Sequence, residues 1–257
     1  MGESDTIPVR TMTYGFGEHV DVRVTSTSMV RENQSVRGME FGFRMGTRSL
    51  EARVDGVIGA QHGYALSAAA AVGLYFEMKD ADIEKGLSQY RAAPGRMRLI
   101  DGVKNTTIID DTYNASPRAA QAAVETLAAT PISTEQGERY AVLGDMLELG
   151  PITREEHEDL GRMVVEQRID FLITVGPASK HIAAAALDEG MEEHRIAKFD
   201  TSVAAGSFLQ EKLEPGDVVL VKGSQGVRME KIVREILAHP EEAPTLIART
   251  YGKWLQE

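Results

Sequence analysis

From residue 96 onward the chain keeps one rhythm: a short, continuous apolar run, a loop of small or polar residues, then a helical stretch. The apolar runs cover residues 107–109, 140–143, 171–175 and 218–221. The helical stretches cover 119–129, 155–167, 179–187 and 227–237. A strand that is apolar on both sides of its pleat must be buried on both faces, and a parallel sheet sandwiched between helices provides that burial. The pattern therefore predicts a doubly wound, mostly parallel α/β sheet, and few other folds tolerate it.

The first third of the chain has another texture. Residues 19–30 alternate apolar and polar (Val20, Val22, Val24), and 38–45 and 50–54 read as similar half-buried strands. Gly59-Ala60-Gln61-His62 leads into an Ala-rich helix over 63–77, and Asp80-Ala81-Asp82 is expected to cap a further helix through Gln89. Ala92-Ala93-Pro94-Gly95-Arg96 has the composition of a turn or hinge, and the domain boundary is placed there. The expected division is a partial α/β domain over 1–93, a second domain over 94–240 and a tail over 241–257 with a short helix at 247–255. Charge follows the same border: residues 1–93 hold 10 Lys+Arg and 12 Asp+Glu, net −2, which leaves 18 and 27, net −9, for the rest.

Composition removes whole classes of function. With no cysteine there is no disulfide scaffold, no thiol catalysis and no cysteine-held zinc or iron–sulfur site. A net charge of −11 argues against a nucleic-acid binder, whose phosphate affinity comes from clustered Lys and Arg. No apolar run approaches the ~20 residues of a membrane helix, and residues 1–10 lack a signal peptide's apolar stretch. A cytoplasmic protein acting on small molecules or on other proteins is expected. No Gly-x-x-x-x-Gly-Lys-[Ser/Thr] occurs, and Gly15-x-Gly17 is too short for a dinucleotide fingerprint, which counts against an unrelated dinucleotide enzyme.

Open parallel sheets bind ligands beyond the carboxyl ends of their strands, so the loops there carry the candidates. Lys222-Gly223-Ser224 with Gly226 is built like an anion cradle, and reads equally as a tight turn that uses glycine for its dihedral freedom. Asp110-Asp111 could hold a ribose, a magnesium ion or an incoming amine, or one of the two could cap the helix near Ser116-Pro117. Asp110 is expected to be structural and Asp111 exposed. Asp145 and Glu148 form a second acidic loop, read otherwise as a strand-end turn residue and a solvated one. Gly176-Pro177-Ala178-Ser179 closes the set. Arg96, after Pro94-Gly95, could bring its fork onto a phosphate or make a surface salt bridge, and Tyr113-Asn114 are the remaining polar candidates. The histidines form no metal set. His157 sits among Glu155, Glu156, Glu158 and Asp159 on what reads as a solvated face, and His181, His194 and His239 stand apart. His62 opens a helix, where it could meet a ligand or serve in capping and packing.

Taken in order, several of these segments resemble the Mur ligase family, ATP-dependent amide ligases of peptidoglycan precursor synthesis. The likeness rests on Gly59-Ala60-Gln61-His62, Pro94-Gly95-Arg96, and Asp110-Asp111-Thr112-Tyr113-Asn114-Ala115-Ser116-Pro117. It continues through Val142-Leu143-Gly144-Asp145-Met146-Leu147-Glu148-Leu149-Gly150, His157, and Val221-Lys222-Gly223-Ser224 with Met229-Glu230. Order and spacing agree from about residue 9 to 238, and the Asp-Asp-Thr-Tyr-Asn run favours the dipeptide-adding branch. The resemblance implies three domains, of which this chain holds the end of the ATP-binding central domain and a complete, Rossmann-like C-terminal domain. The phosphate-binding loop, a modified lysine that helps hold magnesium, and the domain for the UDP-sugar would lie in a missing ligase half, so no catalytic residue and no metal ligand is assigned here. It further implies that Arg96, Asp111 and His62 serve the nucleotide, and that Asn114, Asp145 and Lys222-Gly223-Ser224 line the cleft for D-alanyl-D-alanine. ATP, Mg²⁺ and a UDP-muramoyl-tripeptide would complete the reaction through an acyl phosphate. Two departures, Gly63 and Leu66 where the family usually has asparagines, put an adenine contact in doubt and motivate the alternative of a non-catalytic binding or regulatory module.

Overall fold

The computed structural model describes residues 11–249, so the helix expected at 247–255 lies for the most part outside the described residues. Two compact units emerge. Within the described residues the first takes 11–30, Met39–Asp55 and Ala60–Tyr90, and the second takes Arg31–Gly38, Gly56–Gly59 and 91–249.

In the first unit four strands stand in the order β1 (Tyr14–Gly15), β2 (Val22–Glu32), β3 (Ser35–Met45), β4 (Arg48–Asp55), with β1 parallel to β2. The outer ends of β2 and β3 are counted with the second unit. They are joined through Asn33 and Gln34, both at positive φ, as a type I′ hairpin turn requires. On β4 the period of two is plain: Leu50, Ala52 and Val54 are buried while Glu51, Arg53 and Asp55 face out. Helices α1 (His62–Tyr75) and α2 (Asp80–Ser88) follow. Asp80 and Asp82 lie in the first turn of α2, where they favour the helix dipole; Lys79 is at the N-cap, so the expected aspartate cap is not made. The outer face of α1 exposes Tyr64, Val72 and Tyr75, and Phe76 follows them.

The second unit holds a six-stranded sheet in the order β5 (Arg98–Gly102), β6 (Thr106–Asp111), β10 (Val218–Lys222), β7 (Arg139–Gly144), β8 (Phe171–Val175), β9 (Ile196–Phe199). Edge strand β5 is antiparallel to β6; the other pairs are parallel. The strands expected from the four apolar runs are all present, and every residue of β8 and β10 is buried. Helices α3 (Pro117–Ala129), α4 (Thr153–Glu166) and α5 (Lys180–Asp188) lie side by side, and α6 (Ser202–Lys212) packs with α7 (Glu230–Glu235). Leu209 of α6 and Ile232, Val233 of α7 share a core with Val142, Ile173, Val219 and Val221. The chain steps outward from β6 through β7 and β8 to β9, then returns to insert β10 between β6 and β7. Right-handed crossovers in opposite directions place their helices on opposite faces, which makes α6 and α7 the second helical layer. At such a reversal the loops diverge and leave a crevice at the strands' carboxyl ends.

Strands β5 and β9, helix α6 and the short helix α8 (Ala243–Leu246) of this unit escape the sequence pattern. The helix expected over 227–237 is also cut to Glu230–Glu235, because a 3₁₀ turn and a left-handed Arg228 precede it.

Glycine decides how closely α4 and α5 approach. A methyl on Gly161 would overlap the Ile182 carbonyl oxygen and sit 2.9 Å from Ala185 Cβ. Gly161→Ala is expected to destabilise the second unit by about 1–3 kcal/mol. Gly86→Ala in α2, where nothing lies within 4 Å, should instead stabilise the first unit by roughly 0.5–1 kcal/mol. Urea unfolding of both variants checks the opposite signs.

Candidate functional site

At the carboxyl end of β6 the two aspartates hold the turn that sequence suggested as a hinge. Asp110 accepts the Gly95 N–H at 3.0 Å, the Thr112 N–H at 3.2 Å and the Thr112 hydroxyl at 2.6 Å. Asp111 accepts the Met97 N–H at 3.2 Å. Gly95 has φ +74, and a Cβ there would lie 2.7 Å from the Tyr113 nitrogen, so only glycine fits. Neither aspartate caps α3; its N-cap is Ser116, followed by Pro117 at the first turn.

Asp111 was expected to be exposed and is not. It retains 8% of its surface, and its other oxygen meets Lys222 Nζ at 2.5 Å, the two residues facing each other across the β6–β10 register. Lys222 also donates to the Asn114 carbonyl at 2.9 Å. A lysine 2% exposed and spent on an internal carboxylate is not an open anion cradle; of the two readings of this loop, the geometry is that of the tight turn. Gly223 is required for space: a Cβ would lie 2.7 Å from Met229 Cγ and 3.2 Å from Gly144 Cα.

The loop after β7 is stitched amide by amide. Asp145 N–H donates to Val175 O, Met146 N–H to His157 Nε2 at 3.0 Å, and Leu147 N–H to Ser224 Oγ at 2.9 Å. The Asp145 carboxylate accepts Ser179 N–H at 2.7 Å, and its carbonyl accepts Ser224 N–H at 2.9 Å. His157, expected on a solvated face, is fully buried. Its Nε2 accepts from Met146, so Nδ1 carries the proton and donates to Thr153 O at 2.6 Å. Glu148 is exposed as expected.

Arg96 is exposed and lies over the Tyr113 ring, its guanidinium carbon 4.3 Å from the centroid; this stacking replaces the surface salt bridge considered for it. Asn114 has an exposed side chain on the same loop. In the first unit His62 is 4% exposed, with Nδ1 3.2 Å from Tyr90 Oη, so its geometry is that of a packed ring. The Phe16 ring fills the space beside Gly63, where a Cβ would be 2.8 Å away, and Leu66 is core.

Between the loops after β7, β8, β9 and β10 runs a groove of about 530 Å³. Cationic Arg228 and Lys231 and acidic Asp145 and Asp200 line it together with apolar Leu147 and Val203. Asp145 is therefore the sequence candidate that reaches the groove, whereas Lys222, Gly223 and Ser224 lie behind it as supports. Arg228, Lys231 and Asp200 were missed. The available signal was position: each follows a strand's carboxyl end, two of them just beyond the Gly-rich loop. Among the described residues no three His, Asp or Glu side chains gather as a metal site, and Asp111 is committed to Lys222. The described residues do not by themselves fit Mg²⁺.

Comparison with known proteins agrees with this geometry. Residues 95–225 match the family model described as Mur ligase, glutamate ligase domain. The UDP-N-acetylmuramoyl-tripeptide–D-alanyl-D-alanine ligase of Bacillus subtilis is 30% identical over 233 residues, covering 90% of this chain and 48% of that protein. Its counterpart in Escherichia coli is 32% identical over 200 residues, 77% of this chain and 42% of the relative. Among solved structures, MurF from Acinetobacter baumannii superposes with a TM-score of 0.71 at 28% identity, over 87% of this chain and 46% of that one. The MurF ligase from Thermotoga maritima in complex with ADP shares the fold, with a TM-score of 0.70 at 24% identity over 91% and 49% of the two chains. The chain spans about half the length of the curated relatives it matches.

Burial pushes the Asp110 carboxyl up to about 6, against its hydrogen bonds from Thr112 and Gly95. Its folded-state pKa is above the unfolded one, so its stabilising contribution is complete below about pH 4 and lost as pH rises through about 6. The stability advantage of the wild type over Asp110→Asn should therefore shrink by roughly 3 kcal/mol between those limits. Urea unfolding of both proteins at steps across the range tests this; parallel profiles would refute it.

Proposed function

Because the chain belongs to the Mur ligase family, we propose that it forms part of an ATP-dependent amide ligase, in which the second unit docks the incoming amine, D-alanyl-D-alanine. The observation that carries this reading is the groove's pairing of opposite charges around small apolar walls. A dipeptide zwitterion presents a carboxylate to Arg228 and Lys231, its ammonium to Asp145 and Asp200, and its methyls to Leu147 and Val203. Charge-assisted contacts of this kind fix orientation as well as affinity.

In the complete reaction the precursor's terminal carboxylate is phosphorylated by ATP. The dipeptide's ammonium first gives up one proton; the free amine attacks the acyl carbon, a C–N bond forms, the C–O bond to phosphate breaks with inorganic phosphate leaving, and the nitrogen releases its second proton to solvent. This chain's share is to hold the amine and orient it, with Asp145 as the carboxylate nearest the supporting loops. Arg96, Asp111 and His62 are proposed for the nucleotide side as the resemblance implies. The buried states of Asp111 and His62 mean that either would act only after its present partner is released. The UDP-muramoyl-tripeptide, Mg²⁺ and the phosphate-binding loop belong to the rest of the ligase length.

A second reading, a non-catalytic binding or regulatory module, is favoured by Gly63, beside which the Phe16 ring fills the space, and by buried Leu66, the two positions where the family usually has asparagines. Calorimetry with ATP, ADP and D-alanyl-D-alanine separates the two: dipeptide binding without nucleotide binding fits the first, whose phosphate-binding loop lies elsewhere, and no binding of any of the three fits the second. Under the first, Arg228→Ala or Lys231→Ala is expected to weaken dipeptide binding about tenfold, or ~1.4 kcal/mol. Unchanged affinity in both variants would remove the groove as the docking site.

A further inference from the structure

One carboxylate behind the groove is shared by two arginines. Glu230 Oε1 accepts Arg228 Nε at 2.6 Å, and Glu230 Oε2 accepts Arg249 Nη1 at 2.8 Å. Arg249 in turn donates through Nη2 to the Tyr113 carbonyl at 2.6 Å and through Nη1 to the Thr112 carbonyl at 3.4 Å. The side chains of Glu230 and Arg249 are 5% and 4% exposed, and Arg228 is 13% exposed. Arg228 has a left-handed backbone, φ 61 and ψ 43, a costly conformation for a residue with a side chain and one that persists only where its surroundings enforce it.

We propose that Arg249 is a positioning residue for the ligase reaction: through Glu230 it sets Arg228 in the groove, and through two carbonyls it sets the loop carrying Asp111, Tyr113 and Asn114. The inference rests on the reading of the groove as the dipeptide site. Electrostatics gives it direction. Beside the Glu230 carboxylate, the Thr112 and Tyr113 carbonyl dipoles supply the negative ends that a buried guanidinium requires. Take Arg249 away and Glu230 keeps a single cationic partner, so its pull on Arg228 is no longer balanced and the arginine is drawn back from the groove. The same removal leaves the Thr112 and Tyr113 carbonyls without their donor and loosens the loop on which Arg96 stacks. One side chain thus ties the acceptor groove to the arginine at the turn. A lysine cannot substitute, because a single ammonium lacks the fork that reaches carboxylate and carbonyls together. Arg249 lies outside residues 95–225, the stretch that matches the family model.

The test is a double-mutant cycle on the full chain, read by dipeptide calorimetry and by backbone amide resonances. Arg228→Ala and Arg249→Ala are each expected to weaken D-alanyl-D-alanine binding about tenfold, and the double variant also about tenfold rather than a hundredfold, since both remove one linked element. Arg249→Lys should behave as Arg249→Ala. Should Arg249→Ala fail to fold, Glu230→Gln, which keeps the shape and removes the charge, replaces it in the cycle. A wild-type affinity for Arg249→Ala, or effects that multiply, would overturn the proposal. The resonances judge it without ligand: signals of 112–115 and of 226–228 should shift together in Arg249→Ala and Glu230→Gln, and shifts confined to the neighbourhood of 249 would overturn it. If the wild type does not bind the dipeptide, the reading of the groove fails while this second measurement still decides the linkage.

Discussion

The second unit depends on the buried pair Lys222–Asp111. It joins the last residues of β6 and β10, two strands 111 positions apart in sequence that lie side by side because the chain reverses after β9. Isolated burial of either charge would cost several kcal/mol, so each is tolerable only when the other is in register. From this pair the loops follow. Asp111 holds the Met97 amide, Lys222 holds the Asn114 carbonyl, and the residues after Lys222 support the loop after β7 through Ser224. A lysine that sequence marks as a ligand contact is thus the fastening of the site.

Around that fastening the site separates into supports and contacts. His157, Ser224, Asp110 and Gly95 satisfy buried polar groups and fix loop geometry. Asp145, Arg228 and Lys231 reach the groove, and Arg96 with Tyr113 reaches solvent beside it on the same edge of the sheet. Both sets are needed for the proposed docking of a small, doubly charged molecule, because contacts that are free to move lose the entropic advantage of orientation. The Arg228–Glu230–Arg249 triad belongs to both, being buried at one end and open to the groove at the other.

Much of the fold was legible because its period is. Runs 107–109, 140–143, 171–175 and 218–221 are apolar on both sides and became β6, β7, β8 and β10. Strand β9 was missed because it is four residues long with an exposed Lys198, and β5 because an antiparallel edge strand with Arg98 and Asp101 lacks the apolar signature. Helix α6 is weakly patterned, with Gly206 and several small residues. The site was legible as a set of loops and illegible as a set of roles. Whether Asp111 is exposed depends on Lys222, and whether His157 is solvated depends on Met146, partners that folding supplies and local composition does not show. Arg228 and Lys231 follow the quoted Lys-Gly-Ser motif by a few residues, and only the left-handed turn at 228 shows that they face the groove.

The central claim is that the groove at the carboxyl ends of β7 to β10 receives a small zwitterionic amine. The most direct measurement is the backbone amide spectrum of the ¹⁵N-labelled chain during titration with D-alanyl-D-alanine. The account predicts saturable shifts concentrated in residues 144–147, 176–179, 200–203 and 226–231, with the α1 signals unmoved. An absence of saturable shifts up to about 10 mM, or shifts centred away from those four loops, would contradict it.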